Sequence, residues 1–151
     1  NRGARNYKFI DRTFNLKISY AKAILDYFLA KDDDYFLHFE VIPDNFPPEL
    51  RELLKKFKAG SLQLEVGIQT LNLDVAKNIN RNLKIDKIKE NLAFLSSETK
   101  AHMHIDLIVG LPAETIERFS QNMNLLYTWS SGEIQIGILK KLSGTPITSH
   151  E

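Results

Sequence analysis

The 151-residue chain contains no cysteine, which excludes disulfides and cysteine-ligated metals within these residues. No apolar run approaches the roughly 20 residues that span a bilayer, and no signal-peptide pattern opens the chain. An excess of charge is also missing. Twenty basic residues face 19 acidic ones, for a net charge of +1, and no long run of one sign appears. That balance removes the electrostatic case for a nucleic-acid surface or an anionic membrane. The longest acidic cluster, KDDD at Lys31 to Asp34, reads as a solvated turn. No linker or low-complexity stretch interrupts the chain. No Gly-rich sequence opens a helix either, so Gly144-Thr145-Pro146 is a turn rather than a phosphate loop. What remains is one soluble domain over residues 1–151, expected to be cytoplasmic and to act on a small molecule. The chain begins at Asn1 without an initiator Met and reaches a strand almost at once, as expected of a segment of a longer protein.

The hydrophobic content, 43%, is enough for a core, and its spacing alternates between two periods. Strands are expected at Tyr7–Asp11, Tyr35–Ile42, Leu62–Gln69, His102–Val109 and Glu133–Leu139. Helical stripes lie between them, through Ile18, Ala21, Leu25 and Phe28, through Glu49–Lys58 ending at Gly60, and through a short segment from Leu73 to Ile79. Two more run through Ile85, Ile88, Leu92 and Leu95, and through Ile116, Phe119, Met123 and Leu126 with Gly132 closing the last. Asn15 is placed to cap the first helix. Strand and helix alternate five times at intervals of roughly 30 residues, the mark of a parallel sheet with right-handed crossovers.

The strand faces choose the architecture. Leu37, Phe39 and Val41 oppose Phe36, His38 and Glu40. Leu62, Leu64, Val66 and Ile68 oppose Gln63, Glu65, Gly67 and Gln69. Met103, Ile105, Leu107 and Val109 oppose His102, His104, Asp106 and Ile108, and Ile134, Ile136 and Ile138 oppose Glu133, Gln135 and Gly137. A doubly wound sheet, covered on both sides, needs two apolar faces. One aliphatic and one polar face suit a partial TIM-like (β/α) barrel, with working residues at the carboxyl ends of its strands. Five strands cannot close such a barrel, since about eight are typical.

Site candidates follow from position: Asp11 and Arg12 after the first strand, Glu40 and Asp44 at the end of the second, Gln69 closing the third, Arg81 in the next loop, and Asp106 within the fourth. A buried carboxylate must be paired or hydrogen-bonded. Several such groups converging beside an Arg suit a ligand that carries an ammonium, a carboxylate and vicinal hydroxyls. His102 and His104 have the spacing of a metal pair on one strand face. They precede Asp106, away from the active end, and read as interior histidines; no metal site is assigned. No residue is assigned a catalytic role.

FIDRTFN (Phe9–Asn15), HFEVIPD (His38–Asp44), LEVGIQTLN (Leu64–Asn72), INR (Ile79–Arg81), HIDLIVGLPAET (His104–Thr115) and IGILKKLSGTP (Ile136–Pro146), taken in order, resemble the later part of a radical S-adenosylmethionine (radical SAM) core. The nearest group is the cobalamin-binding-domain type, also called Fe-S oxidoreductases, and coproporphyrinogen dehydrogenase-like members share several strand ends. The resemblance implies S-adenosylmethionine and a [4Fe-4S] cluster as cofactors, with cobalamin possible through a separate upstream domain. It implies Glu40 and Arg81 on the methionine amino and carboxylate ends, Gln69 and Asp106 on the ribose hydroxyls, and Ile108 against adenine. The family's three-cysteine loop has no counterpart here, so the chain is expected to be the C-terminal portion of the core barrel. In the full protein it would form the wall that holds S-adenosylmethionine for reductive cleavage to a 5′-deoxyadenosyl radical, while the isolated fragment would be inactive. The alternatives are a metal-dependent barrel hydrolase built on His102, His104, His38 and an acid, and a non-catalytic interaction domain. Open barrel edges would let the fragment self-associate.

Overall fold

The computed structural model describes residues 3–11, 13–31 and 34–140. Its elements run β1 (Asn6–Lys8), α1 (Ile18–Leu29), β2 (Phe36–Val41), α2 (Pro48–Leu54), β3 (Leu62–Gln69), α3 (Leu73–Asn78), α4 (Ile85–Glu98), β4 (His102–Val109), α5 (Ile116–Trp129) and β5 (Glu133–Ile138). All four strand pairings are parallel, and the strands lie in the order β1-β2-β3-β4-β5. Each right-handed crossover therefore steps the same way, which keeps the helices on one face. A doubly wound sheet reverses direction midway; this one is an open segment of a (β/α) barrel.

Alternation carries the packing. In β2 and β3 every second residue is buried, and Leu37, Phe39, Leu62, Val66 and Ile68 are sealed from solvent. Each large side chain so buried stabilises the fold by about 1.5–3 kcal/mol relative to exposure. Phe14 stacks on Phe39 with ring centroids 3.7 Å apart, which joins the loop after β1 to the sheet.

Several local expectations are corrected. Strand β1 is shorter than Tyr7–Asp11: the Phe9 amide still donates to the His38 carbonyl at 3.0 Å, but Asp11 accepts from the Thr13 amide at 3.2 Å and turns the chain. Asn15 caps nothing. Residue 17 is the N-cap of α1 and uses no side chain. Asn15 is instead fully buried, donating to the Ile42 and Asn45 carbonyls at 2.9 and 2.8 Å and accepting from the Ile42 amide at 2.9 Å. It staples the loop after β1 to the loop after β2. Helix α2 stops at Leu54, well before Gly60, which lies in a left-handed turn leading into β3. Ser130, not Gly132, follows the end of α5. Gly132 is needed for another reason: a Cβ there would come within 2.9 Å of the Met103 Cβ. In β5 the aliphatic face is only partly covered. Ile134 packs against the core, while Ile136 and Ile138, on the edge strand of the sheet, are 51% and 77% exposed. No described helix is long and apolar enough to cross a membrane.

Candidate functional site

The polar face gathers its side chains in rows set by the register. Glu40 pairs with Glu65, Glu65 with His104 and His104 with Glu133. One step towards the carboxyl ends, Gly67 pairs with Asp106 and Asp106 with Gln135. Ile108 pairs with Gly137 one step further on.

Gly67 is the centre of the upper part. A Cβ there would lie 3.1 Å from Gln69 Nε2 and 4.0 Å from Arg81 Nη2, so the missing side chain leaves the room these two and Asp106 share. Arg81, in the loop between α3 and α4, reaches back to donate from Nη1 to the Gly67 carbonyl at 2.8 Å. Burial pulls its pKa down, though a guanidinium stays charged. Gln69 ends β3 with φ +70°, and the β3–β4 register shifts between Gly67 and Gln69. A left-handed backbone at a non-Gly residue costs of order 1–3 kcal/mol and persists where surroundings enforce it. Here they do. The next residue, Thr70, is buried; its hydroxyl donates to Glu114 Oε1 at 2.7 Å and accepts from Asn122 at 3.1 Å. Asn122 also donates to Glu114 Oε1 at 3.0 Å, while Glu114 Oε2 is buried without a partner.

Asp106 is the electrostatic anomaly. Among the described residues its carboxyl has no hydrogen-bond or ion-pair partner, and its pKa is pushed up to about 6. Desolvation is the chief cause, followed by repulsion from Glu65 and Glu40, with His38 opposing. His38 is committed to Glu65, Nε2 to Oε2 2.7 Å. A half-buried carboxylate in acidic company, without donors, is poised to accept hydrogen bonds from a ligand.

Of the sequence candidates, Glu40, Gln69, Arg81 and Asp106 share this region, with Ile108 half-buried on the same face above them. Asp11 does not join: it is exposed and turned into its own loop. Asp44 pairs with Lys84 at 3.4 Å. Arg12, and the turn Ser143–Pro146 with most of KKLSGTP, lie outside the described residues. Glu65 was not singled out from the sequence, although its alternation with Glu40 and Asp106 carried the signal. His38 stands apart from His102 and His104; their convergent partner is Glu133, which does not match the set a His38-containing hydrolase would need.

The sequence model of the Radical SAM superfamily matches residues 5–126. The chain belongs to that superfamily. Among curated proteins, a sequence comparison finds no match. Solved radical SAM structures share its fold. The methyltransferase TsrM from Kitasatospora setae, solved with cobalamin and a [4Fe-4S] cluster, superposes with TM-score 0.79 at 18% identity over 94% of this chain and 29% of its own. Coproporphyrinogen III oxidase (HemN) from Escherichia coli gives 0.66 at 22% identity over 85% of this chain and 29% of its own. Elp3 from Methanocaldococcus infernus gives 0.68 at 17% identity, over 95% and 39%. The chain thus spans about three tenths of the length of the first two. The radical SAM superfamily implies S-adenosylmethionine and a [4Fe-4S] cluster. A chain without cysteine cannot supply cluster thiolates. The space at Gly67 and Asp106, which has no partner among the described residues, do fit a hydroxyl-bearing, cationic ligand.

Proposed function

We propose that this chain is the C-terminal part of a radical SAM core barrel and forms the wall that holds S-adenosylmethionine, with the cluster carried by residues outside it. Asp106 carries the reading. Its desolvated carboxyl, without a donor among the described residues, is matched by two vicinal ribose hydroxyls, which supply hydrogen bonds to the ionised form and offset its burial. Gln69, aimed by its left-handed backbone, shares the ribose. Glu40 takes the ammonium and Arg81, whose remaining guanidinium N–H groups are not spent on Gly67, takes the carboxylate. Ile108 and its backbone lie against adenine. A cluster held by residues outside this chain would supply the electron for reductive cleavage of S-adenosylmethionine; the residues here would bind and orient the ligand and exclude water.

The oxidoreductase type is part of this proposal, supported by the strand-end resemblance to coproporphyrinogen dehydrogenase-like proteins. A cytoplasmic location goes with it, because a cluster that must be reduced suits a reducing compartment. So does self-association of the isolated chain along β5, whose outer edge is unpaired among the described residues; light scattering reads it directly.

In the full-length protein that carries this chain, Asp106→Ala and Gln69→Ala should each weaken S-adenosylmethionine binding roughly 10- to 100-fold by calorimetry, the scale of a hydrogen bond to a charged group. The cluster's absorption spectrum should stay unchanged. Wild-type affinity in both variants refutes the assignment.

A further inference from the structure

The lower end of the polar face holds a second constellation, which the S-adenosylmethionine reading does not use. His102 opens β4, Glu133 opens β5, and the register pairs Glu133 with His104. One ligand-type atom from each of the three lies within 4.8 Å of the others. His102 Nε2 and His104 Nε2 are 2.8 Å apart. His102 Nε2 to Glu133 Oε1 and His104 Nε2 to Glu133 Oε2 are both 3.4 Å.

We propose that His102, His104 and Glu133 form a binding site for a divalent transition metal of the zinc type. Ligand atoms about 2.0–2.1 Å from one Zn²⁺ stand about 3.4 Å apart at a tetrahedral angle and about 2.9 Å apart at a right angle. The separation of the two imidazole nitrogens falls at the right-angle edge, and each nitrogen stands a tetrahedral edge from a different oxygen of Glu133, so the carboxylate faces both rings. Two imidazoles and one carboxylate from neighbouring strands are a donor set that Zn²⁺, Co²⁺ and Ni²⁺ accept, and three protein ligands leave a coordination position open.

The surroundings hold the less exposed ligand in place. His104 is 19% exposed, and its Nδ1 faces the side-chain amides of Gln135 and Gln63, the latter at 3.4 Å. An amide turned to present its oxygen accepts from Nδ1–H and leaves the Nε2 lone pair for the metal, the outer hydrogen bond that metal-bound histidines almost always make. His102 and Glu133, 47% and 66% exposed, provide the way in. The site lies below the nucleoside-binding end: on β4, Asp106 is two residues, about 7 Å of strand, from His104 and four residues, about 13 Å, from His102. A bound ion would clip the starts of β4 and β5 together and so stabilise the folded chain.

The test uses the tag-free, metal-stripped 151-residue chain, whose lack of cysteine removes competing thiolates. Titration with Co²⁺ should give a saturable visible absorption band at one equivalent per chain, displaced by Zn²⁺, which ranks above Co²⁺. Changing outer-shell partners already costs 10- to 100-fold in affinity, so His102→Ala and His104→Ala should each lose roughly 100-fold or more. Zn²⁺ should raise the Tm of the wild type and not of His102→Ala, a half-exposed position where the substitution spares the core. His38→Ala should bind as the wild type does. No saturable band, wild-type affinity in His104→Ala, or an equal loss in His38→Ala overturns the proposal.

Discussion

The two ends of the polar face are built from the same residue types and treat them differently. Towards the amino ends of the strands the polar groups are spent on one another: His38 on Glu65, His102 and His104 on Glu133, and the amides of Gln63 and Gln135 on His104. Towards the carboxyl ends, Asp106 has no partner among the described residues, and Gln69 is held with φ +70°. Desolvated polar groups left without partners weaken a fold, so the upper end carries a cost that the lower end does not. That cost falls at the end where we propose that a ligand binds. The lesson is that polarity on a strand face marks the side of a barrel that faces away from the helices, and that internal partners distinguish one end of that face from the other.

The largest effect that would break this contrast lies at the lower end. His38→Ala leaves Glu65 without its imidazole partner; it should destabilise the chain by about 2 kcal/mol, seen as a lower urea midpoint at unchanged slope. A neutral outcome would mean the lower end is no more stabilising than the upper. Asp106→Asn should do the reverse, by a smaller amount. The folded-state pKa of Asp106 is raised to about 6, so the wild type pays for ionisation as pH rises from the ordinary carboxylate range through that value. Asparagine avoids this. The variant should therefore have the higher Tm at about pH 8, and the gain should fade as pH falls through 6 and vanish below 3.8, where the wild-type carboxyl is mostly protonated in both states. A difference that does not change with pH would remove the electrostatic account. The smallest effect is at the strained backbone: Gln69→Gly should stabilise the unliganded chain by up to about 1 kcal/mol, strain relief outweighing the entropy glycine adds to the unfolded chain. Loss of stability in this variant would show that the left-handed turn is not strained.

Much of this arrangement was legible in the sequence because alternation is local. The bounds of β3 and β4 and the inward and outward sets of β2, β3 and β4 follow from spacing alone, as does the placement of Glu40, Gln69 and Asp106 on one face. What escaped depends on pairs distant along the chain. Asn15 looks like a cap beside the helix it precedes, yet its partners Ile42 and Asn45 lie on another loop. Nothing in HMH reveals that Glu133 will stand opposite His104, since cross-strand register is fixed by the whole sheet. Gln69 sits where alternation would continue unbroken, and its left-handed twist belongs to the register shift rather than to residue type. Exposure of Ile136 and Ile138 goes with the place of β5 at the edge of the sheet, which periodicity does not record.

The hydroxyl of Thr70 serves Glu114 and Asn122 at once, and Gln69 is its immediate neighbour. Rim, loop and helix are thereby fastened by a single oxygen atom. Drift at any one of these three positions must be answered at the other two, so descendants of this sequence should inherit them as a set, even where the ligand they help to aim has changed.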